Sequence, residues 1–144
     1  MAVFDPNEMV VMLDGVRITG FGEKGDAITV TAGVPAGNYT MGVDGRGTFV
    51  NDPDKSCTLV LNIKQHSPDN KWLTNELAKQ RNAIRSFVPK TLEIRDLLNE
   101  DVVSAVKGYF TEVPAYARGT NASNTVWTLV FESHTMRLED GFGN

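Results

Sequence analysis

Cysteine and histidine are nearly absent: one cysteine, Cys57, and two histidines, His66 and His134, in 144 residues. A single thiol excludes an internal disulfide and a cysteine-based zinc site, so Cys57 reads as a buried structural residue. The two histidines fall at the edge of a turn and on a polar strand face, with no close-spaced carboxylates to complete a metal site. Excess positive charge is missing as well. A net charge of -4 and a pI near 5.1 argue against a basic groove that grips nucleic acid through its phosphates. No apolar run approaches the roughly 20 residues that a membrane-spanning helix needs, so no membrane insertion is expected. The start "MAVFDPNEMV" lacks the basic and apolar regions of a signal peptide, and folding in the cytosol is the expectation. The sequons at Asn38 and Asn121 are then chance matches.

What is present is alternation. Apolar and polar residues alternate in runs rich in Val, Ile, Thr, Phe and Tyr, which predicts a mainly β protein of one domain over residues 1–144. "EMVVMLDGVRITGF" reads as two strands joined at Asp14-Gly15, a dipeptide suited to a two-residue hairpin turn. "DAITVTAG" is a further strand. Residues 34–55 are rich in glycine and form a long loop, arm or protruding hairpin. In "SCTLVLNIKQH", Cys57, Leu59, Leu61 and Ile63 share one face, the mark of a half-buried strand. One helix follows at about 68–80, with Ser67 as N-cap, Pro68 at the first helical position and an apolar stripe of Trp72, Leu73, Leu77 and Ile84. "KTLEIRDL", "DVVSAVKGYFTEV" and "TVWTLVFESHTMRLE" complete the strands.

Gly20, Gly22 and Gly25 have the G-x-G-x-x-G spacing of a phosphate-cradling loop. That fingerprint requires a strand before it and a helix after it, so that helix N-terminal amides meet the phosphates. Here "AITVT" follows, and the glycines join strand to strand. A kinase loop does join two strands, but the catalytic sequences that accompany it are absent and the chain is too short. No serine sits in a G-x-S-x-G elbow. The acidic pairs Glu100-Asp101 and Asp52/Asp54 do not follow a calcium loop. The expectation is a protein that is not an enzyme, with no catalytic residue, no cofactor and no metal.

The segments "VVMLDGVRITGFGEKGDAITV" (10–30), "GVDGRG" (42–47), "DKSCTLVLNIKQHSPDNKWLTNEL" (54–77) and "TVWTLVFES" (125–133), in this order, resemble the tail-tube proteins of contractile-tailed bacteriophages. The resemblance extends to the related tubes of type VI secretion systems and R-type pyocins. It implies a β-sandwich or half-barrel flanked by one helix, with subunit sheets joined into a barrel ring on oligomerisation. It further implies a structural virion protein whose stacked, hexameric rings form the inner tail tube, a conduit for DNA ejection. Implied partners are other copies of the chain and the tail sheath, baseplate and tail terminator proteins, with DNA passing through unbound. The implied location is the virion tail, assembled in the host bacterial cytoplasm. Cys57 stands where that family commonly has a small residue such as glycine.

Under this resemblance, alternation assigns Thr29, Thr31, Thr58, Asn62, Glu112, Thr128, Glu132 and His134 to a lumen whose acidic wall repels DNA. Solvent-facing residues of a monomeric sheet would alternate in the same way. Contacts between subunits or rings fall to Glu23, Lys24 and Asp26 of the glycine corner and to Tyr39, Val43, Asp44, Arg46 and Phe49 of the arm. The alternative is a monomeric or baseplate-associated β-domain that binds carbohydrate or another tail protein, with Trp72, Trp127 or Tyr39 as stacking platforms.

Overall fold

At Asp14-Gly15 the chain reverses with φ of 53° and 81°. Met9–Leu13 (β1) therefore folds directly onto Val16–Arg17 (β2), with Leu13 opposite Val16. Positive φ at both central residues matches the turn to the twist of the strands it joins. The computed structural model describes residues 9–21, 27–97, 100–117 and 124–138. The remaining elements are Ile28–Ala32 (β3), Gly37–Met41 (β4), Gly47–Asn51 (β5), Cys57–Lys64 (β6), the helix Asp69–Asn82 (α1), Lys90–Asp96 (β7), Val102–Phe110 (β8) and Asn124–Arg137 (β9).

The fold is mainly β with one helix, in a sandwich-like arrangement. Seven strands form an antiparallel sheet in the order β2-β1-β7-β8-β9-β6-β3, and β4 with β5 form a separate two-stranded hairpin. The expected loop or hairpin at 34–55 is this second sheet. The core lies on one face of the large sheet. Cys57, Leu59, Leu61 and Ile63 point into it from β6, and β9 sets Phe131, Leu129 and Trp127 opposite the first three. Leu92 and Ile94, Val11 and Leu13, and Leu73 and Leu77 of the helix close it. Each such side chain contributes about 1.5–3 kcal/mol on leaving water. Cys57 is fully enclosed, and burial pushes its thiol pKa up.

The helix differs from its sequence reading at both ends. The N-cap is Pro68, and Ser67 stands one residue further out, its Oγ accepting from the Asp69 amide at 3.2 Å. Ser67 is held there by a turn in which its own amide donates to the Lys64 carbonyl. At the other end, the helix stops at Asn82, so Ile84 lies beyond it and is exposed. The docked stripe includes polar groups in its place. Asn70 Oδ1 accepts from Trp127 Nε1 at 3.0 Å, and the Gln80 amide both donates to and accepts from the Phe110 backbone at 2.8 Å.

Candidate assembly surface

Pairing register places the polar strand residues on the face opposite the core. Thr31, Thr58, Val130 and Tyr109 form one row across β3, β6, β9 and β8, while Thr29, Val60 and Thr128 form the next. Asn62 pairs with Val126 in a third. Directly paired residues share a face, so Thr29, Thr31, Thr58, Asn62 and Thr128 come together. Glu132 joins them beside a concavity that it lines with Lys107, Tyr109, Thr111 and Val130. Its carboxylate lies 3.2 Å from Lys107 Nζ. Further across, Arg95 pairs with Glu93, and Ser104 with Thr135. The face is therefore rich in hydroxyls and its central charges pair locally, in place of the acidic wall expected from net charge.

Two expected members stand apart. Glu112 is exposed beyond the end of β8, outside the strands. His134 pairs opposite the buried Ala105, and its Nδ1 lies 2.7 Å from the Lys55 carbonyl. The cause is a bulge in β8, where the register to β7 shifts and Lys107 takes φ 59°. Val106 and Lys107 are both exposed, so simple alternation fails beyond that point.

The hairpin carries the second set. Tyr39 pairs with Phe49 across β4 and β5, their rings 5.9 Å apart, and the turn between them holds Val43, Asp44 and Arg46. Asp44 Oδ1 accepts the Arg46 amide at 3.1 Å. Tyr39 is 68% exposed and Phe49 56%, and Met41, Val43 and Val50 are also exposed. A two-stranded hairpin is marginal alone in water, and one that presents five large apolar side chains has the character of an interface. Met41 shares the face of the Tyr39–Phe49 pair, whereas Val50, paired with Asn38, lies on the hairpin's other face, and neither is singled out by sequence. Glu23, Lys24 and Asp26 lie outside the described residues.

Of the three motif glycines, Gly20 lies among the described residues, and Gly22 and Gly25 lie outside them. The amides of Thr19 and Gly20 donate to Asp69 Oδ2 at 3.0 and 2.8 Å. A Cβ at Gly20 would stand 1.9 Å from Ser67 Oγ. The anion met by these amides is thus the chain's own carboxylate, and the glycine permits close approach to the start of α1.

Beneath the helix, Lys90 Nζ lies 2.7 Å from Glu76 Oε2 and 3.1 Å from Asp14 Oδ2, near the rings of Trp72 and Phe87. Burial favours neutral forms of both Lys90 and Glu76, and their mutual hydrogen bonds outweigh it. The Lys90 pKa is raised and that of Glu76, which Lys79 also contacts, is lowered. The triad joins β7, α1 and the β1–β2 turn. Of the proposed stacking platforms, Trp127 is fully buried and Trp72 half-buried, which leaves Tyr39 exposed. Among the described residues no cluster of three or more metal-ligating side chains occurs, and no helix is long and apolar enough to cross a membrane.

No family model and no curated protein matches the sequence. Solved structures do match the fold. The chain is similar to the tube-terminating cap of the anti-feeding prophage, with a TM-score of 0.61 and 13% identity over 96% of this chain and 93% of that one. It is also similar to a chain of the extended sheath-tube complex of the PVC extracellular contractile injection system, with a TM-score of 0.59 and 11% identity over 94% and 92%. A chain of the extended PVC sheath/tube terminator gives 0.55 and 9% over 90% and 93%. At these identities, over nearly the full length of each chain, what is shared is the fold.

Proposed function

We propose that this chain is a structural, non-catalytic subunit of a contractile tail or injection apparatus, one that self-assembles into rings of the tube or of its terminal cap. The observation that carries the reading is the exposed, apolar β4–β5 hairpin, separate from a seven-stranded sheet with one buried and one polar face, within a fold similar to three components of contractile injection systems over at least 90% of the chain. Neighbouring subunits pair along β2 and β3, the edge strands of the large sheet, so that the ring is a closed barrel without free edges. Thr29, Thr31, Thr58, Asn62, Thr128 and Glu132 then line the channel. A hydroxyl-rich wall with paired charges lets a cargo such as DNA slide without holding it, since adhesion needs unpaired cations. The hairpin, with Tyr39, Val43, Asp44, Arg46 and Phe49, reaches the adjacent subunit or ring and loses its exposed apolar surface there.

Stacked hexameric tube rings in a virion tail are the finer form of this proposal, and a single terminating ring is the second. The second is favoured by the cap and terminator among the similar structures. Sedimentation velocity distinguishes them. A tube subunit gives open-ended polymers that lengthen with concentration, whereas a cap gives one discrete ring. A monomer at all concentrations refutes both.

A further inference from the structure

Positive charge is segregated in this chain. Residues 64–90 hold six of its 14 Lys and Arg but only two of its 18 Asp and Glu, which leaves eight bases against sixteen acids elsewhere. Both acids of the segment are spent internally: Asp69 accepts the Thr19 and Gly20 amides, and Glu76 is buried against Lys90. The residues exposed on α1 are Lys71, Thr74, Asn75, Ala78, Lys79, Arg81 and Asn82, with no acid among them. Just past the helix, a turn closed by the Ser86 amide on the Ala83 carbonyl presents Arg85 with Ile84, 58% exposed, and Val88, 67% exposed.

We infer that this face docks a second protein that presents an acidic surface with an apolar centre. Charge complementarity sets the sign of the partner, because Lys71, Arg81 and Arg85 have no exposed acid among residues 64–90, while Lys79 shares the buried Glu76 carboxylate at 3.2 Å. The apolar pair sets its class. Ile84 and Val88 favour a protein surface that buries them, and the excess acid of the rest of the chain repels a polyanion such as nucleic acid. The face belongs to the helix that covers the core and is separate from the threonine face of the sheet. Docking here stands whether or not the chain forms rings.

The test is fluorescence anisotropy of a labelled amphipathic peptide of Glu and Leu titrated with the full chain. The Arg81→Glu/Arg85→Glu variant is run in parallel, its fold checked by thermal melting. The expected result is binding that weakens about tenfold or more in the charge-reversed variant, weakens with added salt, and is retained by Arg81→Lys/Arg85→Lys. Equal binding by the reversed variant would overturn the proposal. So would tighter binding of duplex DNA than of the peptide, and so would loss of self-association in the reversed variant, which would make a second copy of this chain the occupant.

Discussion

The Gly20 amide donates to the Asp69 carboxylate at 2.8 Å, across 49 residues of sequence. This bond pins one end of the corner after β2 to the first turn of α1 and, with the Thr19 amide, commits two backbone donors to the chain's own carboxylate. Adding ATP or NAD should leave the melting temperature unchanged, whereas a ligand present at a hundredfold excess over its Kd would add about 2.7 kcal/mol.

Gly20→Val should destabilise the protein by about 1–3 kcal/mol, the range for forced overpacking, because its Cβ meets Ser67 Oγ at 1.9 Å. Asp69→Ala should cost about as much by stranding two amides. Urea unfolding of the two variants measures both, and a double variant should lose less than the sum, since the residues share one contact.

Glu76→Leu should cost about 3–5 kcal/mol, because Lys90 remains buried with only the half-exposed Asp14 as partner. Glu76→Leu combined with Lys90→Met should recover most of the loss. Chemical denaturation of the three variants settles the comparison, and equal losses in the single and double variants would contradict the ion pair's role.

The same triad gives a pH dependence with a defined sign. Glu76 has a lowered pKa, so its contribution is full above the ordinary glutamate range near 4.3 and is lost as pH falls through its folded value. Lys90 has a raised pKa, so its contribution is full below the ordinary lysine value near 10.4 and is lost as pH rises through its folded value. Thermal melts across pH should fall off at both ends for the wild type, and the acid limb should be shallower in Glu76→Leu/Lys90→Met.

Much of this was legible where local chemistry decides structure. Asp14-Gly15 announced its turn, and the Cys57, Leu59, Leu61, Ile63 phase announced the buried face of β6. Thr29, Thr31, Thr58, Asn62 and Thr128 fell on one face because two-residue alternation is enforced wherever the opposite face is buried. It failed at His134 because the β8 bulge leaves Val106 and Lys107 both exposed, and a bulge has no strong sequence mark. Polar docking of α1 is invisible to apolar periodicity alone. Asp69, Leu73, Glu76, Leu77 and Gln80 in fact recur at helical spacing, and Lys90 shares its phase with Leu92 and Ile94, so both signals were present.

Hairpin residues should matter to assembly and not to folding. Tyr39→Ser/Phe49→Ser removes two exposed rings that contact each other and no part of the core. Its unfolding free energy should stay within about 0.5 kcal/mol of wild type, while size-exclusion chromatography shows a shift toward monomer.

Negative-stain electron microscopy of the purified chain tests self-assembly most directly. Rings or tubes about 80–100 Å across with an open centre are expected, the dimension of six small domains around a channel. Fields of isolated monomers at high protein concentration, even with preformed rings added as seeds, would contradict it.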